Sequence, residues 1–94
     1  MARKDDPKKM ERMHAWVAAV ESELSIEPEV MEQVKGPMLA LIGKVAHGPS
    51  RPGAPLTAFL IGLAAGRGKG EPLDLITQVK DLVARYEEDN PSED

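Results

Sequence analysis

Apolar residues recur every three or four positions along four stretches of the chain, and this spacing predicts four helices. The predicted helices cover residues 7–24, 28–47, 55–65 and 72–87, and they begin with Pro7, Pro28, Pro55 and Pro72. Proline is favoured in the first helical turn because its φ is already helical and its missing N–H has no acceptor there. No segment alternates apolar and polar residues long enough to predict a strand. The pattern therefore predicts an all-α fold, a small antiparallel bundle of helices joined by short loops.

The second stretch contains Gly36 and Pro37 in its interior. Proline inside a helix removes one hydrogen bond and disfavours helical geometry at the preceding residue. We therefore expect a break or kink at this point, so the element count is four helices, or five if the stretch divides.

The third stretch has almost no polar residue on any side, and a helix that is apolar all round is typical of a buried position. Gly62 and Gly66 lie four residues apart on it, and this spacing predicts that another helix crosses closely there. In the first helix, Trp16 lies beside the apolar stripe and is predicted to pack at the margin of the core.

The length of 94 residues fits one domain, which we place at residues 6–88, with flexible tails at 1–5 and 89–94. The chain has no cysteine, so disulfides and thiolate metal sites are excluded. The longest apolar run is shorter than the ~20 residues of a membrane span, and the first residues lack the apolar centre of a signal peptide. We expect a soluble, cytoplasmic protein without a membrane partner.

Charge is distributed unevenly along the chain, whose formal net charge of −4 argues against nucleic acid as a partner. No Asp or Glu occurs between Glu32 and Glu71, and that segment contains five basic residues, Lys35, Lys44, Arg51, Arg67 and Lys69. Acidic residues crowd the C-terminus. The basic segment is suited to an anionic ligand or an acidic partner surface; the alternative is that the two charged regions simply screen one another.

The loop before the third helix is the first candidate binding site. A helix that starts at Pro55 would direct the amides of Leu56 and Thr57 outward, and Arg51 and His47 precede them. A phosphate or carboxylate group would meet backbone N–H groups and two basic side chains. The alternatives are that Arg51 pairs with an acid of the C-terminal tail, that His47 complements a helix C-terminus, and that the Thr57 hydroxyl bonds back to its own first turn.

A second basic loop, with Arg67 and Lys69 between glycines, follows the third helix, about 16 Å away along the eleven predicted residues. It is not a phosphate-binding P-loop, because it follows a helix and lacks the Ser or Thr of that motif. A basic turn that contacts a partner is the simpler interpretation. Neither His14 nor His47 has a metal-ligand spacing, and no nucleophile has an evident base. We therefore predict no catalytic residue, no metal and no cofactor, and a protein that is not an enzyme.

Residues 46–66 read Ala-His-Gly-x-x-Arg-Pro-x-Ala-Pro-Leu-x-x-Phe-Leu-x-Gly-Leu-Ala-Ala-Gly, and Trp16 is followed by alanines and then Glu23-Leu24. These motifs, which cover most of residues 14–70, resemble a small actinobacterial all-helical domain of unknown function, DUF6457. That domain occurs alone or fused to the nucleotidyltransferase of molybdopterin-guanine dinucleotide biosynthesis. The resemblance implies an accessory role near molybdenum-cofactor maturation, with His47 and Arg51 as candidate contacts. For the matching apolar positions and glycines, the resemblance implies a role in the shape of the domain.

Two functional hypotheses follow. In the first, a non-catalytic accessory domain binds the molybdopterin-guanine dinucleotide nucleotidyltransferase, or an anionic group of its substrate, through the loop from His47 to Thr57. In the second, a purely structural interaction or homodimerisation module uses the apolar helix 55–65.

Overall fold

The computed structural model describes residues 7–90 and contains four helices. They are α1 (Pro7–Leu24), α2 (Pro28–His47), α3 (Gly53–Gly66) and α4 (Pro72–Asp89). The predicted all-α class is confirmed, and residues 7–90 contain no strand. The predicted tail 1–5 and all but the start of the predicted tail 89–94 lie outside the described residues.

α2 is one continuous helix with Pro37 in its interior, so the alternative of five helices is wrong. Gly36 supplies the physical reason. Proline normally disfavours a helical residue before it because its Cδ clashes with the preceding Cβ, and glycine has no Cβ. Pro37 still removes one backbone hydrogen bond, but the steric part of the expected break is relieved.

α3 begins at Gly53, two residues before the predicted start at Pro55. The hydroxyl of Ser50 accepts a hydrogen bond from the Gly53 amide at 3.0 Å, and the Arg51 carbonyl accepts one from the Ala54 amide at 3.1 Å. These two bonds close a turn that leads directly into the helix. Pro55 is tolerated within the first turn because no acceptor inside the helix is available for an N–H at that position.

Three glycines lie at or just after the C-terminus of α3, and Gly68 is the one that stops the helix. The Gly68 amide donates to the Ala65 carbonyl at 3.1 Å, and the Lys69 amide donates to the Ala64 carbonyl at 3.0 Å. Gly68 has a φ of 74°, in the left-handed region that favours glycine. This combination is a Schellman motif, in which a left-handed residue just past the helix lets the last carbonyls find donors.

Alanine substitutions at Gly68 and Gly66 are expected to have opposite effects on stability. Gly68→Ala forces a Cβ into the left-handed region and should lower the free energy of unfolding by about 1–2 kcal/mol. Gly66→Ala replaces a helical glycine whose added Cβ meets nothing within 4 Å, and should raise it by up to about 1 kcal/mol. Urea unfolding followed by far-ultraviolet circular dichroism measures both changes. Shifts of the same sign in the two variants would contradict this assignment of the helix end.

The backbone divides between Glu32 and Gln33, within α2, into two compact units. The core of the second unit is built from α2, α3 and α4. Its buried side chains are Val34, Leu41 and Val45 of α2, Ala54 and Ile61 of α3, and Ile76 and Val83 of α4. Each helix thus contributes a pair of residues seven positions apart, which lie on one helix face two turns from each other. α3 and α4 pack against each other.

The first unit contains α1 and the start of α2. The predicted apolar stripe of α1 consists of Met10, Met13, Val17, Val20 and Leu24. All of these except Leu24 are half-buried, and no described side chain of α1 is fully buried. The prediction for Trp16 is wrong, since 69% of this residue is exposed. Trp16 is offset from the centre of the stripe, and among the described residues of this unit, 7–32, only the start of α2 is available to cover α1.

The prediction that α3 is buried on all sides is also wrong. Only Ala54 and Ile61 of this helix are buried, on the side of the core. An added Cβ at Gly62 or Gly66 would meet nothing within 4 Å, so among the described residues of the second unit, 33–90, no helix crosses at these positions. Among the helices of this described range, none combines the length and apolar character that a bilayer span requires.

Candidate functional site

His47 is the last residue of α2 and lies exposed at the edge of a polar cleft between the ends of α2 and α4. The cleft has a volume of about 370 Å³. Its charged lining consists of Lys44, His47, Lys80, Asp81 and Glu87. The sequence identified His47 and, within the basic segment, Lys44, but it did not identify the other three, because they come together with His47 only through the register of α2 against α4.

Arg51 lies exposed in the turn before α3, as the sequence predicted. The first backbone donors of that helix, however, are already engaged. The Gly53 and Ala54 amides bond to Ser50 and Arg51, and Pro55 has no N–H. The predicted anion site therefore depends on the side chains of His47 and Arg51, and their role stays a prediction. The alternative partners of Arg51 include Glu93 and Asp94, which lie outside the described residues.

Leu56 and Thr57 have different roles from the amide donors that the sequence suggested. In a helix that begins at Gly53, their amides fall opposite carbonyls four residues earlier. The Thr57 hydroxyl donates to the Gly53 carbonyl at 2.9 Å, which confirms the alternative of a bond back to its own first turn. The side chain of Leu56 is 63% exposed, so what this residue offers to a ligand is apolar surface.

Arg67 and Lys69 follow the C-terminus of α3 and are both exposed. Helix C-termini carry partial negative charge from their last carbonyls, so cations are stabilising there and a phosphate group is not. This supports the interpretation of the second loop as a basic turn.

An exposed apolar surface of the second unit lies on α3. Leu56, Phe59 and Leu60 are 63%, 65% and 61% exposed, and no charged residue occurs between Gly53 and Gly66. Beside Leu60, the surface continues into a shallow apolar groove of about 300 Å³ between α3 and α4. We call the side chains of Leu56, Phe59 and Leu60 the α3 face.

The α3 face has cations at both ends. Arg51 precedes the helix, and Arg67 and Lys69 follow it. The fourteen residues of α3 separate these two ends by about 20 Å. An apolar surface bounded by charges of one sign has the chemistry of a protein-binding site, since contiguous exposed apolar patches with polar rims mark interaction surfaces.

Within residues 7–90 no three His, Asp or Glu side chains converge as a metal-binding group would. The profile of the family described as Domain of unknown function (DUF6457) matches residues 8–91. No curated protein and no solved structure matches the chain. The match takes in all four helices, the polar cleft and the α3 face, and the chain therefore belongs to the DUF6457 family.

Proposed function

We propose that this protein is a non-catalytic accessory module that acts in the cytoplasm by binding a partner protein through the α3 face. The observation that carries the proposal is the exposure of Phe59 and its neighbours on a helix without a charged residue. Full removal of one such side chain from water is favourable by about 1.5–3 kcal/mol of free energy. A partner that covers the α3 face recovers part of this energy.

Charge favours a partner other than a second copy of the chain. If two α3 helices paired in antiparallel fashion, Arg51 of one copy would lie near Arg67 and Lys69 of the other, and like charges repel. Parallel pairing would place each cation beside its own equivalent. A partner helix with an apolar face and carboxylates near both ends complements the α3 face fully.

The family resemblance supports one specific partner, the molybdopterin-guanine dinucleotide nucleotidyltransferase. The resemblance implies that domains of this kind occur fused to that enzyme, and a shared interface between the two is part of the proposal. The proposal places the contact at the α3 face, with Arg51 and Arg67 at its edges. The loop from His47 to Thr57 lies next to that contact.

Phe59→Glu is expected to weaken binding to the purified nucleotidyltransferase by about 30-fold, because it puts a carboxylate into the centre of an apolar contact. Sedimentation velocity of the mixed proteins gives the Kd. Leu39→Glu is the matched control, since Leu39 is also a large exposed hydrophobic residue but lies on α2. Raising the salt concentration from about 0.05 to about 0.5 M should weaken the wild-type complex, because Arg51, Arg67 and Lys69 contribute to it.

Equal effects of Phe59→Glu and Leu39→Glu would overturn the assignment of the α3 face. If the wild-type protein fails to bind the nucleotidyltransferase, the link to molybdenum-cofactor synthesis is wrong. If the wild-type protein alone sediments as a dimer that Phe59→Glu dissociates, the occupant of the face is a second copy, as in the alternative hypothesis.

A further inference from the structure

A second apolar groove lies in the first unit, between the C-terminal half of α1 and the start of α2. It has a volume of about 360 Å³, and the apolar side chains that form it include Trp16, Val20, Leu24, Ile26 and Val30. All of these except Val20 are large hydrophobic residues with more than a third of their surface exposed. The groove follows α1 from Trp16 to Leu24, which is about 12 Å or two helical turns.

The turn after α1 closes one end of this groove. Ser25 adopts a left-handed φ of 59°, and the Ile26 amide donates to the Glu21 carbonyl at 2.9 Å. This Schellman motif reverses the chain at once and brings Ile26 alongside α1. Backbone geometry thus fixes the groove wall at this end.

The charged residues that line the groove and its continuation have one sign. Between Arg12 and Lys35 the chain contains no Lys or Arg, and its acidic residues there are Glu21, Glu23, Glu27, Glu29 and Glu32. Glu21 lines the groove itself, and Glu23 lines its continuation past Trp16. Glu27 and Glu29 are exposed and adjoin the lining residues Ile26 and Val30 in the chain.

We propose that this acidic groove binds a basic amphipathic helix of a partner protein. Two turns of such a helix insert apolar side chains spaced i, i+3 or i+4, and i+7, which is the usual pattern for a helix in a groove. Lysine or arginine residues on its flanks then meet the carboxylates of Glu21 and Glu23. The proposal is independent of the α3 face, whose cationic ends select the opposite charge.

A second copy of α3 fits the groove less well. The carboxylates lie along the groove, so its occupant needs cations within the same two turns. α3 has none between Gly53 and Gly66, and its flanking cations are about 20 Å apart. A helix with internal basic residues matches the groove in both length and charge.

Trp16 makes the groove directly observable, because it is the only tryptophan of the chain. The probe is a synthetic helical peptide of about 14 residues without tryptophan, with leucines on one face and lysines on both flanks. Its addition to the full-length protein should shift Trp16 emission to shorter wavelength in a saturable way. A peptide with the same leucines and glutamates in place of the lysines should bind at least about tenfold more weakly at low salt.

Two variants test the location and the charge of the site. Leu24→Lys should abolish binding of the lysine peptide, whereas Leu39→Lys, at an exposed leucine that does not line the groove, should leave it unchanged. The double variant Glu23→Lys/Glu27→Lys should prefer the glutamate peptide. Circular dichroism checks that each variant keeps its helices, and binding by Phe59→Glu at wild-type strength separates this site from the α3 face.

Three outcomes would overturn the proposal. Equal binding of the two peptides would indicate unspecific apolar association, and no emission change with either peptide would show that the groove accepts no helix of this kind. An emission shift that depends on protein concentration alone, together with a dimer in sedimentation, would show that a second copy covers the groove.

Discussion

Leu41→Ala is expected to lower the free energy of unfolding by about 2–5 kcal/mol. Leu41 is only 2% exposed and is the most deeply buried large side chain in the described chain. It lies on α2 between Val34 and Val45, in the core that α2, α3 and α4 share. Truncation removes apolar contacts and leaves a cavity that the neighbouring helices fill only in part. For a domain whose total stability is on the order of 5–15 kcal/mol, this loss is large.

Leu39→Ala is the matched control, because Leu39 is 48% exposed and lies on the same helix two residues earlier. It should cost less than about 1 kcal/mol. Urea unfolding followed by circular dichroism gives both values. If Leu41→Ala fails to fold, Leu41→Met keeps most of the volume and should cost less than about 1.5 kcal/mol. Similar losses at positions 39 and 41 would contradict the assignment of the core.

The helices were largely predictable from the sequence because their limits depend on local chemistry. Pro7, Pro28 and Pro72 begin three helices at the predicted positions. α3 shows where a local rule is insufficient. The Ser50 hydroxyl accepts from the Gly53 amide in the turn before the helix, and this turn leads into α3 two residues before Pro55, so it prevails over the positional preference of proline.

The end of α3 was less predictable for a related reason. Gly66, Gly68 and Gly70 are all plausible terminators in sequence, and only the backbone shows that Gly68 has the left-handed φ. Which of the three glycines stops the helix depends on which carbonyls are left without donors after the last full turn.

Burial was the least predictable property. The composition of α3 predicted a helix covered on every side, yet Phe59 is 65% exposed. A sequence shows how much apolar surface a helix presents, but it does not show how many neighbours are available to cover it. Trp16 demonstrates the same limit, and these two overturned predictions mark the two surfaces to which we assign partners.

The candidate site was predictable in part. His47 and Arg51 were identified from their basic chemistry next to a helix start, and both are exposed. The cleft that contains His47 also includes Lys80 and Glu87, more than thirty residues away along the chain. Their proximity depends on how α4 packs beside α2, which no pattern within a single helix specifies.

Gly48→Ala is expected to lower the free energy of unfolding by about 1–3 kcal/mol. A Cβ at this position would lie 2.8 Å from the Lys44 carbonyl oxygen and would collide with the Glu87 carboxylate. Glu87 is a flexible side chain that is able to move away, whereas the Lys44 carbonyl belongs to the backbone of α2. Most of the cost therefore comes from shifting the chain at the end of this helix.

A double variant separates these two contributions. Gly48→Ala/Glu87→Ala should remain nearly as unstable as Gly48→Ala, because the backbone collision persists when the carboxylate is gone. Gly43→Ala, in open space on the same helix, should raise stability by up to about 1 kcal/mol. Full recovery in the double variant would mean that Glu87 alone sets the cost. Because Gly48 directly follows His47, a shift of the chain there means that Gly48→Ala should also change the imidazole chemical shifts of His47 in the cleft, whereas Gly43→Ala should not.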